Sequence, residues 1–269
     1  MAITKYGWIS DKINGISVNH TYPCNKKCYT SRPARNIDYL IIHYTGNDDD
    51  CAVNNVKYYS GTGARAASAH LFVDEKNIYQ SLKLRWIGWS IGCVSGYKTK
   101  ARNSNSISVE MCTDGKGIVN MATQVNAAYL MAWLMKHYGF KSKDVDKRIL
   151  RHYDCVKSNK PCPKQYVDHP DQFRHFKDMV KNIIDTGTHT AHKADAHQYY
   201  DQPGVYRVTL EKHVIRNQPD PEAKIVGSIT DKGSYTIVDV KNHYGLLKAY
   251  ENSQDHWINL RTDYVKKVK

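Results

Sequence analysis

Short apolar runs alternate with helical patterns from residue 37 to residue 185, and beyond residue 203 the helices stop. That switch in period constrains the fold more than any composition statistic. Ile37 to His43 reads as a buried strand ending in a histidine, and Ala52 to Tyr59 as a helix started by Asp48, Asp49 and Asp50 and stopped by Gly61 and Gly63. His70 to Val73 and Ile78 to Leu82 flank Asp74-Glu75-Lys76-Asn77 as a hairpin would, and Ser106 to Met111 forms a third strand. Thr123 to His137 carries apolar residues at helical spacing with Gly139 as its C-cap, Arg148 to Arg151 reads as a strand delivering His152, and Gln172 to Ile184 as a closing helix. The expected fold class is α/β, a central mixed β-sheet flanked by helices, over residues 1–185.

Residues 186–203 (TGTHTAHKADAHQYYDQP) are polar and without period, so they read as a linker. Its histidines 189, 192 and 197 lack the preorganised geometry a metal site needs. Residues 204–269 hold six short β-like runs, Val205 to Leu210, His213 to Arg216, Lys224 to Ile229, Tyr235 to Val240, Gly245 to Tyr250 and Trp257 to Leu260. Runs this short, with no helix between them, describe a small all-β barrel.

His43 at a strand end, and His152 and Cys162 flanking RHYDCVKSNKPCP, are the chemically loaded residues. Two imidazoles and a thiolate form a zinc-binding set with one position left for water, whose pKa the ion lowers from 15.7 to about 7. Amide hydrolysis is the natural reaction of such a site. A lone histidine at a strand end is more often a hydrogen-bonded structural residue, and it is the pairing with the His-x9-Cys segment that favours the metal. The other cysteines, Cys24, Cys28, Cys51, Cys93, Cys112 and Cys155, lack framework spacing and are expected reduced.

Lys and Arg outnumber Asp and Glu by 39 to 26, a formal +13 that favours polyanionic partners without choosing among them. Nucleic acid is not an expected partner, because neither a basic helix nor an aromatic sheet motif accompanies the charge. Nor is a membrane: no apolar stretch approaches the roughly 20 residues that span one. The N-terminal residues lack the apolar h-region of a secretory signal, so the chain is expected to be made in the cytoplasm.

Four strings, in order, resemble one family: LIIHYTG (Leu40 to Gly46), SAHLFVDEKNIYQ (Ser68 to Gln80), RNSNSISVEMC (Arg102 to Cys112), and RHYD followed by Lys160-Pro161-Cys162-Pro163. Together they are similar to the type 2 N-acetylmuramoyl-L-alanine amidases, zinc enzymes that include phage lysins and are related to peptidoglycan recognition proteins. The resemblance covers roughly residues 30 to 185. It implies Zn2+ held by His43, His152 and Cys162, Glu110 as general base, Lys160 as donor to the developing oxyanion, and His70 and Trp89 as substrate contacts. It also implies peptidoglycan as substrate, with anionic wall polymers as an additional partner, and release to the wall through a holin. Residues 204–269 resemble, more loosely, a bacterial SH3-type wall-binding module. Two positions depart from the pattern. Ala69 stands where some members have tyrosine, and Ser90 where many have histidine after Trp89, which leaves the catalytic load on Glu110 and Lys160. The rival readings are a non-catalytic peptidoglycan-binding protein on the same fold and a cysteine-dependent wall peptidase. Oligomeric state is not legible.

Overall fold

The computed structural model describes residues 4, 7–31, 36–92, 96–114, 117–158, 160–188, 199–219, 223–241 and 243–268. They fall into two compact units, Met1–Thr190 and Ala191–Lys269. Histidines 189, 192 and 197 of the expected linker, and Cys93, lie outside the described residues. Among the described residues, no helix is long and apolar enough to cross a membrane.

The first unit is built on a seven-stranded mixed sheet in the order Lys12–Ile13, Ile16–Asn19, Ile78–Gln80, Leu71–Val73, Ser106–Met111, Tyr39–Tyr44, Ile149–Arg151. The last four strands in that order run parallel to one another, and Leu71–Val73 with Ile78–Gln80 forms the expected antiparallel hairpin. Period-2 alternation divides the side chains between two faces. Leu40, Ile42, Ile107, Val109, Leu71 and Val73 pack into the main core with the helices Met121–His137 and Pro170–Thr186. Their neighbours Ile41, His43, Ser108, Glu110 and Phe72 therefore face the other way, towards the side where the helix Ala52–Ser60 packs on Phe72. One sheet face is a hydrocarbon core; the other carries the polar groups.

The helices form for local reasons. Asn120 caps the first of the two core helices, its Oδ1 accepting from the Thr123 N–H at 2.9 Å. The other starts at Pro170, buries Phe173, Phe176, Met179, Val180 and Ile183 on one stripe, and ends at Gly187 with φ of 81°. It exceeds the expected Gln172 to Ile184 by two residues at each end. At the start of the helix Ala52–Ser60, Asp50 of the expected acidic run accepts from the Cys51 N–H and the Asn55 amide. The Asp74 carboxylate, from the hairpin turn, joins it by accepting from the Ala52 N–H at 2.9 Å. The dipole is thus also met by an acid from across the fold, which sequence proximity could not show.

The second unit is a seven-stranded, wholly antiparallel sheet in the order Ile225–Ile229, His213–Arg216, Trp257–Asn259, Tyr244–Leu247, Ser234–Lys241, Gly204–Val208, Val265–Lys267. Ile229 and Val265 from its two outermost strands share one core with Tyr206, Ile237 and Ile258, so the sheet curls on itself. Five of the six expected strands agree in position, the Gly245 to Tyr250 run ends at Leu247 in a 3-10 turn, and Val265–Lys267 is an additional strand. Tyr199 and Tyr200 were expected in the linker, yet Tyr200 donates its N–H to Leu260 O at 3.0 Å and packs on the core, while Tyr199 bridges Arg261.

Candidate metal centre and active site

Strand register creates the site. His43 lies directly beside Glu110, and Glu110 beside Phe72, at the carboxyl ends of parallel strands; on the opposite neighbour Ile42 pairs with Arg151, so His152 begins where that strand stops. Open sheets with parallel strands offer their crevice at this end. Arg151 fixes the turn that follows, its guanidinium gripping the Asp154 carboxylate at 2.7 and 3.0 Å and Tyr166 O at 2.7 Å. The Tyr153 N–H then donates to Cys162 O at 2.9 Å, which draws the cysteine back over the strand ends.

One ligand atom from each of His43, His152 and Cys162 lies within 4.8 Å of the others, and all three residues are buried. Cys162 Sγ is 3.7 Å from His43 Nδ1, and Glu110 Oε1 is 3.8 Å from the same nitrogen. His43 Nε2, His152 Nδ1 and Glu110 Oε2 are buried without a hydrogen-bond partner. Buried polar atoms without partners are costly, and two imidazoles and a thiol whose ligand atoms lie within 4.8 Å of one another are a donor set that a cation would satisfy. The residues present therefore fit a metal ion.

The electrostatics agree. Burial pushes the Cys162 thiol up to about 12 and the Glu110 carboxyl up to about 8, the latter partly offset by Lys160 and Arg65. Burial, with Lys160 nearby, holds His152 down at about 4, and burial with His152 and Lys160 holds His43 well below the ordinary imidazole value. Without a cation the centre is neutral at pH 7. Zinc uptake is thus expected to release about one to two protons, seen as calorimetric heats that depend on buffer ionisation enthalpy; buffer-independent heats would contradict this. For His152 the folded value near 4 lies below the ordinary 6.5, so between those values the unfolded chain binds more protons. Metal-free protein should lose thermal stability as pH falls from about 6.5 towards 4, and an unchanged melting temperature over that range would count against the neutral, buried His152.

The centre opens into a cleft of about 770 Å³ lined by Tyr58, Tyr59, Arg65, Trp89, Ser90, Glu110, Lys160 and others. Trp89 is held by reciprocal hydrogen bonds with Ser68, whose hydroxyl accepts from the Trp89 N–H at 3.0 Å. Lys160 is exposed at the cleft wall. His70 is not in the cleft. Its ring is 1% exposed, sits over Gly88, where an added Cβ would come within 3.0 Å of it, and meets Ser108 Oγ at 3.1 Å and Trp86 O at 2.9 Å. The expectation of a substrate contact at His70 gives way to a structural role, joining two strands and a loop. Ala69 is buried in one cluster with Cys24 and Cys28, and Ser90 lines the cleft. Arg65 was missed: it follows no motif, and only folding brings its guanidinium to the cleft, where it donates to Tyr59 Oη at 3.0 Å.

Residues 33–165 match the N-acetylmuramoyl-L-alanine amidase family. The matched segment contains His43, Glu110, His152, Lys160 and Cys162. The chain is 32% identical over 157 residues to N-acetylmuramoyl-L-alanine amidase CwlL of Bacillus licheniformis, covering 55% of this chain and 42% of that protein. It is 30% identical over 138 residues to N-acetylmuramoyl-L-alanine amidase XlyA of Bacillus subtilis, covering 51% of this chain and 42% of that protein. The chain thus matches less than half the length of these curated relatives. Its fold is similar to the solution structure of the PlyG catalytic domain, with 24% identity, a TM-score of 0.50, and coverage of 63% of this chain and 96% of that one. The six described cysteines are free thiols.

Proposed function

We propose that the amidase-family unit hydrolyses the amide bond between N-acetylmuramic acid and L-alanine in bacterial peptidoglycan, with Zn2+ held by His43, His152 and Cys162. The observation that carries this reading is the convergence of those three buried donors at the strand ends with Glu110 3.8 Å from His43. Zinc, when bound, acidifies a water molecule and polarises a carbonyl oxygen. Glu110, fixed by its strand, takes the proton from the attacking water and passes it to the departing amide nitrogen. Lys160, at the wall of the same cleft, stabilises the oxygen on which negative charge develops. Trp89 and the cleft tyrosines give apolar faces to sugar and peptide.

Arg65 offers a guanidinium to an anionic group of the stem peptide. Arg65→Ala is expected to raise KM about tenfold with kcat little changed, as for loss of one charge-assisted contact made equally in ground and transition states. A fall in kcat at constant KM would place Arg65 in the chemical step instead.

The second unit is read as an SH3-like wall-binding module, supported by its small curled antiparallel sheet and its attachment to an amidase-family unit. The whole chain is read as a phage or prophage endolysin, made in the cytoplasm and acting on the wall after holin-type release. The test is digestion of purified walls with and without chelator, followed by analysis of new chemical ends. L-alanine amino termini that vanish with chelator and return with zinc are expected. A cysteine peptidase would find some support in the 3.7 Å contact of Cys162 with His43, but a thiol pushed up to about 12 is a poor nucleophile. Activity blocked by a thiol reagent yet indifferent to chelator would favour that enzyme, and wall binding without new ends a non-catalytic receptor.

A further inference from the structure

The positive charge of this chain is unevenly placed. Residues 1–190 hold 27 Lys and Arg against 16 Asp and Glu, a net +11, whereas residues 191–269 hold 12 against 10, a net +2. The polyanion-seeking part of the molecule is the amidase-family unit, not the small β unit expected to grip the wall. Within it, Lys98, Lys100 and Lys157 are exposed, and backbone pairing brings the segment of Lys98 and Lys100 beside that of Lys157: Tyr97 bridges Val156, the Lys98 N–H donates to Cys155 O, and the Lys157 N–H donates to Gly96 O, both at 2.9 Å. The same segment continues into Ser158 and Lys160, which line the cleft. Among the described residues no carboxylate lies within ion-pair range of these lysines. Elsewhere in the unit lysines are neutralised, as where Lys177 and Lys181 meet Asp146 and Asp178.

We propose that Lys98, Lys100 and Lys157 form a docking lip for the anionic polyol-phosphate polymers attached to bacterial cell walls, the teichoic acid type, and so hold the cleft against its substrate. Charge complementarity selects a polyanion, and two further observations select this one. Both aromatic rings of the lip already carry a cation, Tyr153 the Lys98 ammonium at 4.1 Å and Tyr97 the Arg102 guanidinium at 3.5 Å, which disfavours their use as stacking platforms for nucleic-acid bases. Among the described residues, none of the large exposed apolar side chains lies on the lip, which disfavours insertion into a lipid surface. A base-free phosphodiester chain asks only for fixed cations, each neutralised phosphate releasing counterions. The partner rests on the proposed wall function, whereas the lip does not depend on the amidase reaction.

The test uses the full chain and the triple variant Lys98→Gln, Lys100→Gln, Lys157→Gln. Wild type should bind soluble polyglycerol phosphate with an affinity that falls more than about tenfold between 50 and 200 mM salt. It should also sediment with walls carrying the polymer at least about tenfold more than with walls stripped by hydrofluoric acid. The triple variant should lose both preferences while hydrolysing a small soluble muropeptide as wild type does. Equal binding of variant and wild type to the polymer, or equal sedimentation with intact and stripped walls, would overturn the proposal. So would tighter binding of wild type to a single-stranded oligonucleotide or to phosphatidylglycerol vesicles. Failure of the wild type to cleave the muropeptide, with polymer binding intact, would sink the amidase reading and leave the lip standing.

Discussion

Glu110→Gln should lower muropeptide hydrolysis by about 10²–10⁴-fold, the usual weight of a positioned general base, while the purified protein still binds one zinc per chain. The substitution keeps shape and hydrogen-bonding reach but removes the ability to take a proton. It tests the role of Glu110 separately from the integrity of the centre, because Glu110 stands beside His43 in strand register and is not one of the three convergent donors. Burial raises the carboxyl to about 8, and Lys160 and Arg65 oppose that rise. The ionised base is therefore favoured by every positive charge brought near it. Retained activity in Glu110→Gln would remove it from the mechanism, and loss of zinc in the same variant would make it part of the metal site.

His152→Ala should abolish both zinc binding and hydrolysis, the latter by about three orders of magnitude or more, since water without the ion returns to a pKa near 15.7. Metal content measured on the purified variant, beside its thermal unfolding, separates ligand loss from collapse of the fold. The 5% exposed imidazole is held down near 4 by its surroundings, so the alanine variant is also relieved of a buried polar group with no internal partner. Metal-free variant should then be no less stable in acid than metal-free wild type. A variant that keeps stoichiometric zinc and activity would exclude His152 as a ligand.

The three candidate donors were legible beforehand from residue type, a strand ending in His43 and the His-x9-Cys spacing, whereas Glu110 and Lys160 stood out only through the family resemblance. The strand Ser106–Met111 has its expected bounds, and Tyr39–Tyr44 carries His43 one residue before its end. In that strand Ser108 and Glu110 alternate with the buried Ile107, Val109 and Met111. Other features had no such signal. Asp74 capping a helix 22 residues upstream, Arg65 reaching the cleft, and His70 turning into the core all depend on contacts between distant segments. His70 is the instructive case: it sits in the string that carries the family likeness, yet both ring nitrogens are occupied by the protein itself. A histidine in a motif can be retained for architecture as readily as for contact.

The Val265–Lys267 strand was missed for a different reason. Its pattern, one buried valine followed by two exposed lysines, is too short and too charged to signal a strand, and such charge is how an outermost strand resists pairing with another chain.

The donors of the centre come from residues 43, 152 and 162, with Glu110 beside them, and pairing across the sheet together with the Tyr153–Cys162 backbone contact brings them together. Parallel pairing joins segments far apart along the chain and cannot form until the later segment exists. During synthesis, therefore, no fragment ending before residue 162 possesses the full set of donors. Whatever lytic capacity the protein has arrives late and all at once, when the His43 strand, the Glu110 strand and the His152 strand are assembled around the same edge.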